Sequence, residues 1–473
     1  MVRGLRALII LLLVVSSMLA DSGDCAFGWW KDLLRAPDAH SEGVTGKGVV
    51  ALVIDTGVDA EVIKSVFNRT VDRYFNAAYE AHKDECFKYV DYKNVTMCVY
   101  GLTEVGGRSA YLAAPVNETT DLAGHGTAVA AALLSVAPDV DLHVAKVACY
   151  VLLLDENGSV TYAIPFIDPE ALKLALERAV NGTDVVNLSL GSVTPVTGPL
   201  PDVPTALALR GLWDVIYSKS SETAFVAAAG NEGLKVPSFP ALSEHVIGVS
   251  ALAYKDGEFE VASFSDGGPG VDFSSVGVGL YLPVPKYSYI AEAVKDPCAE
   301  EVGRALFLRL DGTSFAAPLV SGTAALWIQR TGVKGTSEVR EVLKQNSLHP
   351  FGPGWSPEAG WGVPVAVPVE GQGLSLPGIP FAGLPALLLA KRKRGATLLT
   401  IMMISSSAFA VEPEKLGEAF AISSLATWTA YYVANGLGPV ASLWMATFNT
   451  LIVTALLAIS WKVVELVCAT IKC

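Results

Sequence analysis

The chain predicts a three-layer α/β/α domain on a mostly parallel β-sheet, followed by C-terminal transmembrane helices. Three observations lead there. Short apolar runs such as Gly48-Val-Val-Ala-Leu-Val-Ile54 and Phe225-Val-Ala-Ala-Ala229 alternate with helix-forming stretches such as Ala128-Val-Ala-Ala-Ala-Leu-Leu134, the pattern of strand–helix units in a parallel sheet buried on both faces. A length of 473 residues suits one large domain with an appendage. A mean hydropathy of +0.43, with 51% hydrophobic residues, is too apolar for a soluble enzyme and points to membrane segments.

The N-terminus reads as a secretory signal over residues 1–20. Arg3 and Arg6 precede the apolar run from Ala7 to Val15, and Ser-Ser-Met-Leu-Ala20 offers a small-residue cleavage site. An uncleaved anchor is the rival reading. The main domain is placed at residues 29–366. Its first long apolar run ends in Val53-Ile-Asp55-Thr-Gly57-Val58, which puts Asp55 at the carboxyl edge of a strand, where open α/β sheets carry their ligand sites. An insertion is placed at about 68–120. Cys86 and Cys98 within it could close a short loop, whereas Cys25, Cys149 and Cys298 offer a second bridge whose pairing stays open. Asn68, Asn94, Asn117, Asn157 and Asn181 each begin an Asn-x-Ser/Thr sequon, as expected of an exported glycoprotein with a surface insertion. Asn187-Leu-Ser189 has the same form and could be read as a further acceptor.

Gly124-His125-Gly126-Thr127 leads into a helix former, and Gly312-Thr-Ser314-Phe-Ala-Ala-Pro318 is a second helix entry with proline in an early turn. Together with Asp55 these motifs supply an Asp, a His and a Ser among small residues at element junctions. A serine hydroxyl is a weak nucleophile that needs a neighbouring base, the role open to His125. A carboxylate such as Asp55 would fix the imidazole tautomer and stabilise the imidazolium. The Ser314 N–H and the positive end of its helix would face a developing oxyanion. Asp before His before Ser is the chain order of subtilisin, and differs from chymotrypsin and the α/β-hydrolases.

On these motifs the chain resembles the subtilisin-like serine proteases, the subtilases, over roughly residues 29–364. The resemblance implies a serine endopeptidase acting on protein or peptide substrates. It assigns Asn231, in Phe225-Val-Ala-Ala-Ala-Gly-Asn231, as the side-chain oxyanion donor. It also implies two substrate walls. Ser189, Leu190 and Gly191 would pair with the peptide backbone, and Ala228, Ala229 and Gly230 would form the opposite side of the primary specificity pocket. The floor of that pocket, expected between Leu234 and Pro240, is too unlike the family pattern to read. Other departures are a missing pro-domain in the short stretch between Ala20 and Asp55, Ala128 where a second histidine often stands, and no histidine around Ala60-Glu-Val62. Calcium is a possible cofactor by resemblance alone, with no ligands to name. His40, His82, His143, His245 and His349 show no metal-ligand spacing, and no metal residue or other cofactor is assigned.

After the main domain the character changes. Residues 367–380 form a Pro/Gly-rich linker and residues 381–473 a membrane-anchoring region. Lys391-Arg-Lys-Arg394 is a basic cluster that should stay inside, which places the catalytic domain outside the cell membrane. Residues 419–461 carry no charge and have the length of two spanning helices, a hairpin turned at Asn435-Gly-Leu-Gly-Pro439. The cluster, the next apolar stretch and Ala408-Phe-Ala410 also imitate an internal signal peptide, so cleavage after Ala410 is a second reading. Lys plus Arg number 34 against 47 Asp plus Glu, a net charge of −13, which argues against nucleic acid. The partners expected are a peptide substrate, the lipid bilayer and a possible membrane protein. The alternative is a catalytically silent, membrane-anchored scaffold that retains the protease shape.

Overall fold

A computed structural model describes residues 25, 27–191, 203–255 and 257–369. The expected signal peptide, nearly all of the linker, and the anchoring region with its hairpin lie outside the described residues. Among the described residues no helix is long and apolar enough to cross a membrane.

Two short helices, α1 (Trp30–Leu33) and α2 (Ala36–Ser41), precede the first strand, β1 (Val50–Asp55). Then come α3 (Ala60–Phe67), β2 (Arg73–Asn76), α4 (Ala77–His82), β3 (Lys88–Tyr92), β4 (Val95–Val105) and β5 (Arg108–Pro115). Helix α5 (His125–Val136) leads to β6 (Asp141–Lys146), β7 (Ala148–Leu154), β8 (Val160–Ile167), α6 (Pro169–Arg178) and β9 (Val185–Leu188). Helix α7 (Val203–Lys219), β10 (Ala224–Ala228), β11 (Ile247–Lys255), β12 (Glu258–Val261), β13 (Val271–Val276) and β14 (Leu280–Pro285) follow. The last part holds α8 (Tyr289–Ala293), β15 (Glu300–Val302), β16 (Ala305–Leu310), α9 (Thr313–Thr331) and α10 (Gly335–Gln345).

The central sheet runs β12-β11-β10-β9-β1-β6-β2, with β13 also paired to β11. Every pairing is parallel except β11 with β12. The domain is thus a mixed α/β fold on a mainly parallel sheet. Alternation along single strands separates its two faces. Ala51 and Val53 of β1, with Ala224 and Val226 of β10, join a core that includes α5, α9 and α10. Leu52 and Ile54, with Phe225 and Ala227, join the core of α6 and α7 on the other face. A strand apolar at every position is what two covered faces require. β1 sits where the order of strands reverses, with β6 on one side and β9 on the other, so its carboxyl end opens into a crevice.

The insertion expected at about 68–120 pairs with strands that follow it in the chain. Its strands β3, β4 and β5 form a five-stranded antiparallel sheet by recruiting β7 and β8, which follow the central strand β6. This sheet has a small core of its own, including Val95, Met97, Val99, Tyr150 and Leu152. Cys86 bonds to Cys98 across the start of the hairpin, at about 3 kcal/mol on the loop-entropy estimate. The second bridge joins Cys25 to Cys298, and Cys149 remains a buried thiol. The five sequon asparagines are all exposed, whereas Asn187 is fully buried in β9.

Candidate active site

Asp55 and His125 meet at the carboxyl end of the sheet. Asp55 closes β1 and His125 opens α5; both side chains are 1% exposed, and His125 Nδ1 lies 2.8 Å from Asp55 Oδ1. The Thr56 N–H donates to the same oxygen at 2.7 Å. Burial pulls the imidazole toward neutrality, but the charge and hydrogen bond of Asp55, with the charge of Asp121, outweigh it and hold His125 above its ordinary value of 6.5. The contact depends on a close crossing. A Cβ on Gly126 would lie 2.1 Å from the Gly57 carbonyl oxygen and 3.1 Å from Asp55 Cβ, so only glycine lets α5 press on the end of β1.

Asp121 organises this crossing and was not singled out by the sequence. Its Oδ1 accepts from Thr56 Oγ1 at 2.9 Å and Gly124 N at 2.8 Å; its Oδ2 accepts from Thr127 N at 2.9 Å and Thr127 Oγ1 at 2.7 Å. Thr56 Oγ1 in turn accepts from Gly126 N at 3.0 Å. One fully buried carboxylate therefore satisfies the free donors of the α5 start and ties them to the residue after Asp55. Burial raises its pKa, against the pull of those four hydrogen bonds. The readable signal was an acidic residue three positions before a helix-starting glycine.

Ser314 is the second residue of α9 and is 9% exposed. α5 and α9 pack in one core, and the His125 ring lies 5.3 Å from that of Phe315, the next residue. Asn231, just past β10, is held against the start of α9. Its Oδ1 accepts from Thr313 N at 2.9 Å and from Thr313 Oγ1 at 3.0 Å. A backbone N–H can only donate, so this bond fixes the orientation of the amide and leaves Nδ2 as its free, donating end. Such an end beside Ser314 can stabilise developing negative charge on an oxygen.

The two stretches expected to form substrate walls lie at the carboxyl ends of neighbouring strands, β9 and β10. The Ser189 side chain does not face a substrate. It is fully buried and donates to the Ser314 carbonyl at 2.6 Å, while accepting from Asn187 Nδ2 at 2.9 Å; Asn187 Oδ1 takes a hydrogen bond from Ser321 Oγ at 2.9 Å. Its side chain buttresses the nucleophile helix, leaving backbone alone for peptide pairing. Leu190 is 5% exposed. Ala228 and Ala229 are buried, and the Ala229 carbonyl accepts from Ser238 N at 2.6 Å. Gly230 has φ +120°, and a Cβ there would strike Asp266 Oδ2 at 2.1 Å and Ser238 Oγ at 2.7 Å. A Cβ on Gly191 would reach Ser238 Cβ at 3.0 Å. Gly191 and Gly230 therefore both approach Ser238, which lies in the stretch between Leu234 and Pro240 that the sequence left unread. Behind it, burial pushes the Asp266 carboxyl up to about 7.

Among the described residues one group of three could hold a metal: His82, Cys149 and Asp168. It shares no residue with the site above, and its thiol and imidazole donors do not suit calcium, which takes six to eight oxygens.

A model of the subtilase family matches residues 46–362. The chain is similar to subtilisin-like protease PopC of Myxococcus xanthus, 28% identical over 332 residues, covering 67% of this chain and 59% of that protein. It is similar to subtilisin DY of Bacillus licheniformis, 30% identical over 331 residues, covering 67% of this chain and 90% of that one. The crystal structure of a lanthipeptide protease aligns with a TM-score of 0.47 and 20% identity, covering 72% of this chain and 96% of that chain.

Proposed function

The chain belongs to the subtilase family, and from that premise we propose that it is a serine endopeptidase. One observation carries the reading: the buried 2.8 Å hydrogen bond between Asp55 and His125, beside the start of the helix that bears Ser314. In the proposed reaction Ser314 Oγ attacks the scissile carbonyl of an extended peptide, and His125 Nε2 takes the hydroxyl proton. Asp55 holds Nδ1–H, fixing the tautomer and offsetting the imidazolium charge. The tetrahedral oxyanion is met by Asn231 Nδ2 and the Ser314 N–H. His125 then passes its proton to the leaving amine, and water hydrolyses the acyl-enzyme by the same steps in reverse. The backbone of Ser189, with Leu190, Gly191, Ala228, Ala229 and Gly230, contributes the substrate walls.

The proposal extends to an exported enzyme tethered to the cell membrane with its catalytic domain outside. It is supported by the signal-like residues 1–20, the uncharged stretch 419–461, the two disulfides and the exposed sequons.

Fluorophosphonate labelling of the full chain in detergent tests the chemistry. Labelling of the wild type that disappears in Ser314→Ala and His125→Ala is expected. A folded wild type that resists the probe would overturn the assignment and favour a silent scaffold. Recovery of activity in a membrane fraction that survives an alkaline wash tests the tether, and activity that washes off removes it.

A further inference from the structure

The group formed by His82, Cys149 and Asp168 takes no part in the machinery above. His82 ends α4, Cys149 lies within β7, and Asp168 caps α6. One donor atom of each lies within 4.8 Å of the other two, at exposures of 5%, 0% and 7%. Each side chain is held in place by its surroundings. Asp168 Oδ1 accepts from Ala171 N at 2.9 Å, which leaves Oδ2 facing His82 Nε2 at 3.2 Å. The His82 ring stacks flat on Tyr100, with centroids 3.8 Å apart and 4° between planes. Neither ring nitrogen of His82 is aligned for a hydrogen bond. Imidazole, carboxylate and thiol thus sit close together in a buried cluster.

We propose that His82, Cys149 and Asp168 bind a divalent cation that prefers nitrogen and sulfur donors, Zn²⁺ above all, as a structural cross-link between the inserted sheet and the helices of the catalytic domain. Three arguments carry this. The first is the donor set: Cys, His and Asp are the usual Zn²⁺ ligands. The second is geometric. Ligands at about 2.1 Å from a tetrahedral ion stand roughly 3.4 Å apart, close to the 3.2 Å between His82 Nε2 and Asp168 Oδ2. His82 Nδ1 meanwhile lies 3.7 Å from Glu85 Oε2, within ion-pair reach but beyond a hydrogen bond. The third is charge. One thiolate and one carboxylate balance the ion while the imidazole stays neutral, so the buried assembly has no net charge. The ion would tie α4, the foot of the insertion, to α6 and β7. The three ligands are scattered along the chain, so no sequence motif announces them.

The test is a titration of the chelator-treated full chain with Co²⁺, in a Cys468→Ser/Cys473→Ser background that leaves Cys149 as the one cysteine outside the two disulfides. We expect one equivalent of Co²⁺ to give a thiolate-to-cobalt charge-transfer band that excess Zn²⁺ abolishes. Cys149→Ser should lose the band, and His82→Gln should weaken binding at least tenfold. Alkylation of Cys149 should also slow at least tenfold with Zn²⁺, a measurement that needs no variant at the site. Absence of the band and of thiol protection in the folded protein would overturn the proposal, leaving a buried His–Asp pair beside an idle thiol. A band unchanged in Cys149→Ser would overturn it as well. Labelling by the fluorophosphonate probe is read separately, so failure here leaves the catalytic reading standing.

Discussion

Replacing Gly126 by alanine tests whether the close crossing of α5 and β1 sets the rate. The added Cβ would lie 2.1 Å from the Gly57 carbonyl oxygen, a shortfall of roughly 1.4 Å against ordinary contact near 3.5 Å. That oxygen is backbone, so no rotamer change relieves the clash. The start of α5 must move away from β1 by about 1 Å, carrying His125 from Asp55. A displacement of that size costs about 10²-fold in rate. Overpacking costs about 1–3 kcal/mol, partly offset by about 1 kcal/mol from the better helix propensity of alanine. We expect kcat/KM on a chromogenic peptide to fall about 10²-fold while the urea midpoint moves only modestly. Gly211→Ala is the control. It lies in α7, where the nearest atom to its Cβ would be Lys173 Cε at 3.8 Å, and it should leave the rate unchanged. A folded Gly126→Ala enzyme within threefold of wild-type kcat/KM would refute the reasoning.

Three further outcomes follow from the site. Asn231→Ala should lower kcat about 10²- to 10³-fold with little change in KM, a magnitude known from a member of this family and not worked from this structure; a drop confined to KM would make Asn231 a binding residue. Asp121→Asn turns an amide NH2 toward donors that now meet a carboxylate oxygen, stranding at least one of them, and should cost about 1–3 kcal/mol by urea denaturation, with a parallel loss of rate. Full stability in that variant would show that the network does not position α5. His125 must be neutral to accept a proton, and its pKa is held above 6.5, so kcat/KM should fall on acidification through a midpoint above that value. Asp55→Asn removes the charge that raises it and should move the midpoint of the residual activity downward; an unmoved midpoint would mean that another group governs the limb. The same pair favours the fold while His125 is protonated, a contribution present below about 6.5 and lost as pH rises through the raised folded value.

Some features could be read without coordinates because they are local. Unbroken apolar runs at β1 and β10 report strands covered on both faces, since any polar residue there would be buried without a partner. Small residues around Asp55, His125 and Ser314 mark places where backbone must approach backbone. The resemblance at Asn231 rests on the same kind of short, contiguous signal. The loop between Cys86 and Cys98 was legible because twelve residues is a distance the chain closes by itself.

The tertiary structure decided whatever depends on distant segments meeting. It pairs Cys25 with Cys298, joins β7 and β8 to the inserted sheet, and turns the Ser189 hydroxyl onto the carbonyl of Ser314 instead of toward a substrate. It gives Asp121 its four donors and Asn231 its fixed amide, and brings Gly191 and Gly230 up against Ser238. It brings His82, Cys149 and Asp168 within reach of one ion. Periodicity along a chain records which face of an element is buried, but not which remote element covers it. The sequence by itself therefore determined the strands, the helix starts and the reacting groups they present. Packing of the sheet against its two helical layers decided what holds those groups in place.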